Sequence, residues 1–254
     1  MGVVPVGAVR VVIVTGAARG LGRAIALELA SRGDTLLLAD RCEDQLVELR
    51  VALERDGHRV ASYAGDLTEP RDVAGMIRVA EEELGGADAL VNNAGLVEYA
   101  GFFDTTPELL RGLLRVDVEA LFFATQAFAR SLRSRGRGGA VVNLGTSHAL
   151  AGVAGTSAYA AAKGAVHALT RALAVELAPL GIRVNTLALG TTLTERVRAE
   201  LAPELLQQRY RQIPLSRGAE PEEAAIAVAY LLDSGFTTGT ELVLDGGFTI
   251  YGDG

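Results

Sequence analysis

The chain alternates between short continuous apolar runs and longer segments in which apolar residues recur at helical spacing. An uninterrupted run of Val, Ile, Leu and Ala is typical of a strand buried on both faces of a parallel sheet. Strands that alternate with helices indicate an α/β fold. We predict strands at Val9–Thr15, Thr35–Ala39, Arg59–Ala64, Ala87–Val91, Gly181–Ala188 and Glu241–Leu244, and helices at Leu21–Ser31, at Glu43–Asp56, from about Pro70, and at Glu222–Leu232.

The first predicted strand runs directly into a glycine-rich turn. Residues 15–22 read TGAARGLG and open the first predicted helix. Glycines at such a turn permit a tight bend and a close approach of the backbone to a ligand, and the N-terminus of the helix attracts a pyrophosphate. The order strand, glycine turn, helix therefore predicts a dinucleotide-binding site.

An acidic residue, Asp40, ends the second predicted strand, 18 residues after Gly22. A carboxylate there can accept hydrogen bonds from the adenosine ribose hydroxyls, and its charge would repel the 2′-phosphate of NADP. Asp40 therefore favours NAD. Arg19 in the turn and Arg41 beside Asp40 could each pair with a 2′-phosphate, which keeps NADP open as the alternative.

A phenol and an ammonium stand four residues apart at Tyr159 and Lys163, joined by three alanines that favour a helix. At that spacing the two side chains lie on one helix face. Lys163 is the only lysine among 24 basic residues. A nearby cation favours the phenolate, so we expect the pKa of Tyr159 to fall toward the range useful for general acid/base catalysis.

Length and charge restrict the class of protein. A chain of 254 residues fits one large α/β domain. Its formal net charge of -7 argues against non-specific binding to nucleic acids or anionic membranes. No apolar segment reaches the roughly 18 residues of a membrane span. The segment Val3–Val14 is interrupted by Pro5, Gly7 and Arg10, unlike a secretory leader.

Cysteine and histidine are sparse. Cys42 is the single cysteine, so we expect neither a disulfide framework nor a thiolate metal cluster. His58, His148 and His167 are widely separated and match no metal-ligand spacing. These residues lead us to expect a cytoplasmic protein without a metal site.

Five ordered motifs together resemble the short-chain dehydrogenase/reductase family. They are Thr15-Gly-x-x-x-Gly-x-Gly, Asp66, Asn92-Asn-Ala-Gly95, Tyr159-x-x-x-Lys163 and, further along, Asn185 with Asp245-Gly-Gly. The resemblance covers almost the whole chain. It implies a single domain over residues 1–254, with a Rossmann-like, doubly wound parallel sheet of about seven strands and helices on both faces. It also implies a substrate lid at about 191–213 and a homotetramer, or a homodimer.

The resemblance assigns catalytic roles to four residues. Tyr159 would be the acid/base, and Lys163 would hold the nicotinamide ribose and tune the phenol. Thr146 stands at the position of the family's serine and keeps a hydroxyl. Adjacent Ser147 is a weaker candidate, because successive strand residues point to opposite faces, unless the strand has already ended there. Asp117 replaces the family's asparagine. Its charge is expected to weaken the effect of Lys163 on Tyr159 and to raise the pH optimum for oxidation.

The resemblance also implies residues that contact cofactor and substrate. Those for the cofactor are Gly16, Ala18, Arg19, Gly20, Leu21, Gly22, Asp40, Arg41, Asp66, Leu67, Asn93, Ala94, Gly95, Tyr159, Lys163, Gly190, Thr192 and Thr194; those for the substrate are Ser147, His148 and Thr191. Asp66 either reads the adenine or caps the helix near Pro70. His148 either touches substrate or is structural or solvent-facing, and His167 is a packing or interface residue.

The sequence therefore predicts an NAD-preferring oxidoreductase that acts on a small-molecule secondary alcohol or ketone. One alternative is an NADPH-dependent ketoreductase of the 3-oxoacyl or polyketide type, which would use Arg19 and Arg41. An alternative from another class is a catalytically weak scaffold that binds a dinucleotide without turnover, suggested by the substitutions at Thr146, Asp117 and Leu189, the last of which precedes Gly190 where the family usually has proline.

Overall fold

The computed structural model describes residues 9–251. The predicted domain 1–254 extends past both ends of this range, so the start of the segment Val3–Val14 and the end of the C-terminal tail lie outside the described residues. Seven strands form one sheet: β1 Val11–Thr15, β2 Thr35–Asp40, β3 Val60–Ala64, β4 Ala89–Asn92, β5 Gly139–Thr146, β6 Ile182–Leu189 and β7 Glu241–Leu244. All are parallel, in the order β3-β2-β1-β4-β5-β6-β7.

The helices of the described residues connect these strands. They are α1 Gly20–Ser31, α2 Glu43–Arg55, α3 Pro70–Leu84, α4 Pro107–Leu114, α5 Leu121–Ser134, α6 Ser157–Leu177, α7 Glu195–Glu200, α8 Pro203–Arg211 and α9 Pro221–Asp233. A π-helical segment, Arg115–Ala120, joins α4 to α5, and short 3₁₀ turns lie at Phe102–Asp104, Ser147–Ala149, Ala178–Leu180 and Phe248–Ile250. Within residues 9–251, no helix combines the length and the apolarity that crossing a membrane needs.

Both faces of the sheet are buried, as the continuous apolar runs predicted. Successive strand residues point to opposite faces, and Val12 and Val14 pack in the core shared with α1, α2 and α9. Ile13, between them, packs in the core shared with α3 and α5. The doubly wound α/β fold with seven parallel strands is thus confirmed.

The predicted strands and helices are present, with ends shifted by at most two residues. The first strand starts at Val11 instead of Val9, whose side chain is exposed. The predicted lid region, 191–213, contains the two short helices α7 and α8. An isolated parallel bridge between Thr192 and Ala219 ties the start of this region to the segment before α9.

Candidate active site

The sheet order reverses between β1 and β4, and the carboxyl ends of these neighbouring strands carry the glycine turn and the Asn92-Asn93-Ala94-Gly95 segment. A topological switch point of this kind opens a crevice outside the carboxyl edge of the sheet, where ligands bind in α/β folds. The residues predicted to contact the cofactor lie along this edge.

Side-chain hydrogen bonds hold the glycine turn against the end of β4. Asn93 Nδ2 donates to Thr15 O (2.8 Å) and Gly16 O (3.0 Å). Thr15 Oγ1 accepts from the backbone N–H of Asn93 and of Ala94, each at 3.0 Å. A Cβ on Gly22 would lie 2.0 Å from Gly16 O, so only glycine fits there. Gly16 and Gly20 adopt positive φ, which glycine reaches without strain.

The N-terminus of α1 suits a pyrophosphate. No side chain caps this helix at Arg19, and its first turn contains no acidic residue. The leading N–H groups of a helix need an acceptor and, with the helix dipole, attract an anion. This uncapped first turn of α1 adjoins the glycine turn, where the backbone can approach a ligand closely. The residues present therefore fit a dinucleotide phosphate.

Asp40 lies at the end of β2, next to the glycine turn. Its Oδ2 accepts from Ala18 N and its Oδ1 from Cys42 N, each at 3.0 Å. The carboxylate is therefore fixed in place while it stays partly exposed to the crevice. Arg19 and Arg41, the candidates for a 2′-phosphate, are both exposed.

The capping interpretation of Asp66 is wrong. Glu69 is the N-cap residue of α3, and Asp66 Oδ1 instead accepts from Thr68 N (2.9 Å). Asp66 is exposed in the loop after β3, and Leu67 follows it half-buried, so the prediction that the two contact adenine stays open.

The cofactor residues after β6 lie near the glycine turn. Thr194 caps α7 through a hydrogen bond from Val197 N (3.4 Å), as its type suggested, yet a Cβ on Gly20 would lie only 3.7 Å from Thr194 Cγ2. Thr192 Oγ1 donates to Gly190 O at 3.3 Å. Thr194 therefore lies beside the glycine turn, and its contact with the cofactor stays a prediction.

The predicted acid/base, Tyr159, is buried in the first turns of α6. Burial raises the pKa of Tyr159 above its ordinary value, the Asp117 carboxylate raises it further, and a hydrogen bond with Thr146 lowers it. The expectation that Lys163 brings this pKa down is wrong for this structure. The main physical reason is the burial of the phenol, and the second is the Asp117 carboxylate that pairs with Lys163.

Lys163 and Asp117 form a buried ion pair, with Lys163 Nζ 3.1 Å from Asp117 Oδ1. Nζ also donates to Leu144 O (3.0 Å), and Asp117 Oδ1 accepts from Leu96 N (3.1 Å). Asp117 is fully buried, and burial, the largest cause, raises its pKa. The ammonium charge is compensated by this carboxylate, as the substitution at 117 led us to expect, so little of it acts on Tyr159.

The π-helical segment was not predicted. It carries Asp117 in the middle of an otherwise α-helical stretch, and π-helical turns often occur at functional sites. Gly95 lies directly against the ion pair: a Cβ there would come 2.7 Å from Asp117 Oδ1 and 3.4 Å from Lys163 Nζ. The tight contact explains why this strand end carries glycine.

Thr146 ends β5 with its side chain beside Tyr159. Its Oγ1 accepts from His148 N (3.3 Å) and donates to Leu189 O over a long 3.4 Å. Behind it, His167 is buried, as the packing interpretation predicted, with Nε2 accepting from Thr146 N (3.3 Å) and Nδ1 3.2 Å from Glu241 Oε2. The Thr146 hydroxyl has a single proton, and because its hydrogen bond to Leu189 O is long, that proton can turn from Leu189 O to a substrate oxygen.

Ser147 and His148 lie beyond the end of the strand, in a 3₁₀ turn. Ser147 is therefore not turned to the opposite face of β5, and both residues line a cavity of about 330 Å³ beside Tyr159. The His148 ring lies edge-on to the Tyr159 ring, with centroids 6.4 Å apart. His148 is half-buried in the wall of this cavity, and Thr191, the third predicted substrate residue, lines the same cavity.

The cavity is also lined by residues that no sequence motif indicated, among them Tyr99 from the loop after β4, Arg209 and Gln212 from the predicted lid, and Phe248 near the C-terminus. The Tyr99 ring contacts Tyr159 edge-on, at 5.5 Å between centroids. No periodic pattern or motif marks these positions, since they converge only through tertiary structure. The one sequence signal for these residues was the run of Arg, Glu and Leu at helical spacing in the predicted lid, which includes Arg209.

Comparisons with known proteins agree over almost the full length. Residues 16–249 match the model of a family described as enoyl-(acyl carrier protein) reductase. Cyclopentanol dehydrogenase of Comamonas testosteroni is 34% identical over 243 residues, which cover 94% of this chain and 97% of that protein. Galactitol 2-dehydrogenase (L-tagatose-forming) of Cereibacter sphaeroides is 36% identical over 249 residues, covering 94% of each. A solved short-chain type dehydrogenase/reductase from Mycobacterium marinum is similar at 33% identity with a TM-score of 0.89, covering 94% of this chain and 95% of that one.

Proposed function

The chain belongs to the short-chain dehydrogenase/reductase family, and on that premise we propose that it exchanges a hydride between NAD and a secondary alcohol or ketone. The observation that carries this proposal is the pair of hydroxyls at Tyr159 and Thr146, which lie together at the carboxyl edge of the sheet beside a cavity. Related proteins that bear the names of alcohol and polyol dehydrogenases support the same reaction class.

Tyr159 moves the proton. In oxidation its oxygen accepts the hydroxyl proton of the substrate, and in reduction it returns a proton to the ketone oxygen. The Thr146 hydroxyl donates a hydrogen bond to the same substrate oxygen and holds it in place. Because the pKa of Tyr159 is raised in the protein without ligand, the resting phenol is neutral, which is the form that ketone reduction needs.

The ion pair with Asp117 holds the Lys163 ammonium in place beside Tyr159. Lys163 is held by Asp117 Oδ1 and Leu144 O, which fixes its ammonium on the helix face that carries Tyr159. We assign Lys163 to the nicotinamide ribose hydroxyls. Asp117 then acts as a positioning residue that sets how much positive charge reaches the phenol.

A nicotinamide dinucleotide, when bound, accepts or donates the hydride. The residues that would hold its phosphates are the glycine turn and the first N–H groups of α1, and Asp40 would accept hydrogen bonds from the adenosine ribose. The fixed charge of Asp40 favours NAD over NADP, since a 2′-phosphate would need to approach a carboxylate whose oxygens are already paired.

Assembly into a homotetramer or homodimer belongs to the same proposal. Large apolar side chains are exposed on α5, α6, α9 and β7; they are Phe122, Phe123, Val175, Ile226, Tyr230 and Val243. Burial of such side chains against other subunits would remove apolar surface from water. Light scattering coupled to size exclusion tests this assignment directly.

Turnover of alcohols and ketones with NAD+ and NADH, and in parallel with NADP+ and NADPH, tests the reaction. We expect Tyr159→Phe to reduce kcat by roughly 10²- to 10⁴-fold, the usual contribution of a general acid/base, while NADH binding persists. The control Tyr251→Phe removes a hydroxyl from an exposed position near the C-terminus and should retain full turnover.

Two outcomes would reject the proposed reaction. Full turnover by Tyr159→Phe would remove the proposed acid/base. NADH binding by the unaltered protein without activity on any alcohol or ketone would instead favour a dinucleotide-binding scaffold.

A further inference from the structure

The substrate cavity contains an arginine that no acidic side chain neutralises. Arg209, on α8, lines the cavity half-buried, and within residues 9–251 its guanidinium takes part in no ion pair and no hydrogen bond. Other arginines in this part of the chain have acidic partners. Three of them pair with glutamates: Arg196 with Glu200, Arg198 with Glu220 and Arg217 with Glu223.

The same cavity holds two buried polar atoms without a partner among the described residues. They are Ser147 Oγ and His148 Nδ1. A buried polar atom that lacks a hydrogen bond is costly, and native proteins retain such atoms mainly where a ligand completes them. A hydroxyl and an imidazole N–H can each donate to a ligand oxygen.

The charge inside the cavity is positive. Its lining residues from the described part of the chain include no carboxylate. Burial lowers the pKa of His148, and the nearby Arg209 lowers it further, so the imidazole is neutral near pH 7. The guanidinium is then the charge that a ligand meets in this space, and a planar fork of N–H donors matches a carboxylate.

We propose that the substrate is a small hydroxy acid, or its keto acid, whose carboxylate binds Arg209 with help from Ser147 and His148. This inference rests on the proposed function, because the hydroxyl or carbonyl of the same molecule must reach Tyr159. A carboxylate suits the site better than a phosphate, since a single guanidinium faces the ligand. The volume of about 330 Å³ also lies near the lower limit for small-molecule sites.

Binding without reaction separates this inference from the reaction itself. Acetoacetate and 4-oxopentanoate cannot be reduced in the presence of NAD+, so calorimetric titration of each, with and without NAD+, reports affinity alone. The methyl ester of each acid is the matched neutral probe. We expect each acid to bind at least tenfold more tightly than its ester, because the ester cannot form the charge-assisted hydrogen bond to the guanidinium.

Variants of Arg209 test whether the preference for the acid over its ester depends on this residue. Arg209→Gln should reduce the ratio of acid to ester affinity to about one, and Arg209→Lys should retain part of it, because a point charge remains without the fork. Arg211→Gln removes the same charge two residues away, from an exposed position on α8, and should leave the ratio unchanged.

Three results would overturn the inference: no measurable binding of either acid, equal affinity for acid and ester, or a ratio that Arg209→Gln does not change. Tighter binding of inorganic phosphate than of either carboxylate would overturn the carboxylate assignment. Turnover of neutral alcohols alongside any of these results would leave the proposed reaction intact. Conversely, tight acid binding without turnover of any alcohol, ketone or hydroxy acid would reject the reaction and retain the carboxylate site.

Discussion

The two halves of the carboxyl edge differ in how their polar groups are satisfied. On the dinucleotide side, the Thr15 hydroxyl and the Asn93 amide are paired with backbone atoms, and both oxygens of Asp40 accept backbone N–H groups. On the catalytic side, Asp117 Oδ2, Ser147 Oγ and His148 Nδ1 are buried without a partner within residues 9–251. The side chains that shape the cofactor side are therefore paired before a ligand binds, and the backbone N–H groups at the start of α1 are left for the ligand. The substrate side differs, because side-chain atoms there await a ligand.

This contrast teaches what each half is built for. Paired side chains hold the backbone of the glycine turn in a rigid shape. A dinucleotide contacts that backbone directly, so the turn needs glycine more than it needs reactive side chains. Unpaired atoms cost stability, and proteins commonly accept that cost at sites of chemistry. Changes on the first side should therefore disrupt structure and cofactor binding together, and changes on the second should separate stability from activity.

The largest expected effect is on the cofactor side, from Gly22→Ala. The new Cβ would lie 2.0 Å from Gly16 O, so the turn must move, which we expect to abolish dinucleotide binding and to destabilise the fold by about 3 kcal/mol. Calorimetric titration with NADH and denaturant unfolding measure both quantities. Gly112→Ala, in α4, is the control, because the nearest atom to its new Cβ would be Leu96 Cδ2, at 3.8 Å. Unchanged NADH affinity in Gly22→Ala would contradict the rigid-turn account.

A smaller effect is expected from Asp40→Asn, which keeps an acceptor oxygen and removes the charge. We predict that the preference for NAD+ over NADP+, measured as the ratio of kcat/KM values, falls about tenfold, or about 1.4 kcal/mol. Asp44→Asn, on the exposed first turn of α2, loses the same charge and should retain the ratio. A constant ratio in Asp40→Asn would assign cofactor choice to other residues.

The smallest effect is expected on the catalytic side, from Ser147→Ala. Removal of a buried, unpaired hydroxyl should stabilise the protein without ligand by about 1 kcal/mol while it lowers kcat/KM roughly threefold to tenfold. Denaturant unfolding and steady-state kinetics report the two changes. Ser31→Ala, at an exposed site on α1, should change neither by much. Loss of stability in Ser147→Ala would mean that its hydroxyl is already satisfied.

Local patterns sufficed for the fold and for much of the cofactor side. Continuous apolar runs predicted the buried strands because burial on both faces leaves no polar alternation, and the glycine turn is contiguous in sequence. The pKa of Tyr159 was predicted with the wrong sign, because a spacing of four residues reports Lys163 but not the burial of the phenol, which is the largest cause of the rise and to which the charge of Asp117 adds.

The substrate side was beyond local patterns. Tyr99, Arg209 and Phe248 come from three distant segments and meet only in the folded chain. The π-helical segment that carries Asp117 also leaves no periodic signal, since one extra residue in a turn barely alters apolar spacing. Positions of this kind depend on tertiary packing and not on neighbours in sequence.

The central claim is that the proton passes through Tyr159 and that Asp117 governs the ionisation of this phenol. The direct test is the pH dependence of kcat/KM for alcohol oxidation in the unaltered protein and in Asp117→Asn, with Glu119→Gln on the exposed side of the same π-helical segment as the control. Oxidation needs the phenolate, so activity rises with pH through the pKa of Tyr159, and loss of the carboxylate lowers that pKa. We predict that the rise in activity of Asp117→Asn moves to lower pH by roughly one unit. A profile that does not move would contradict the account.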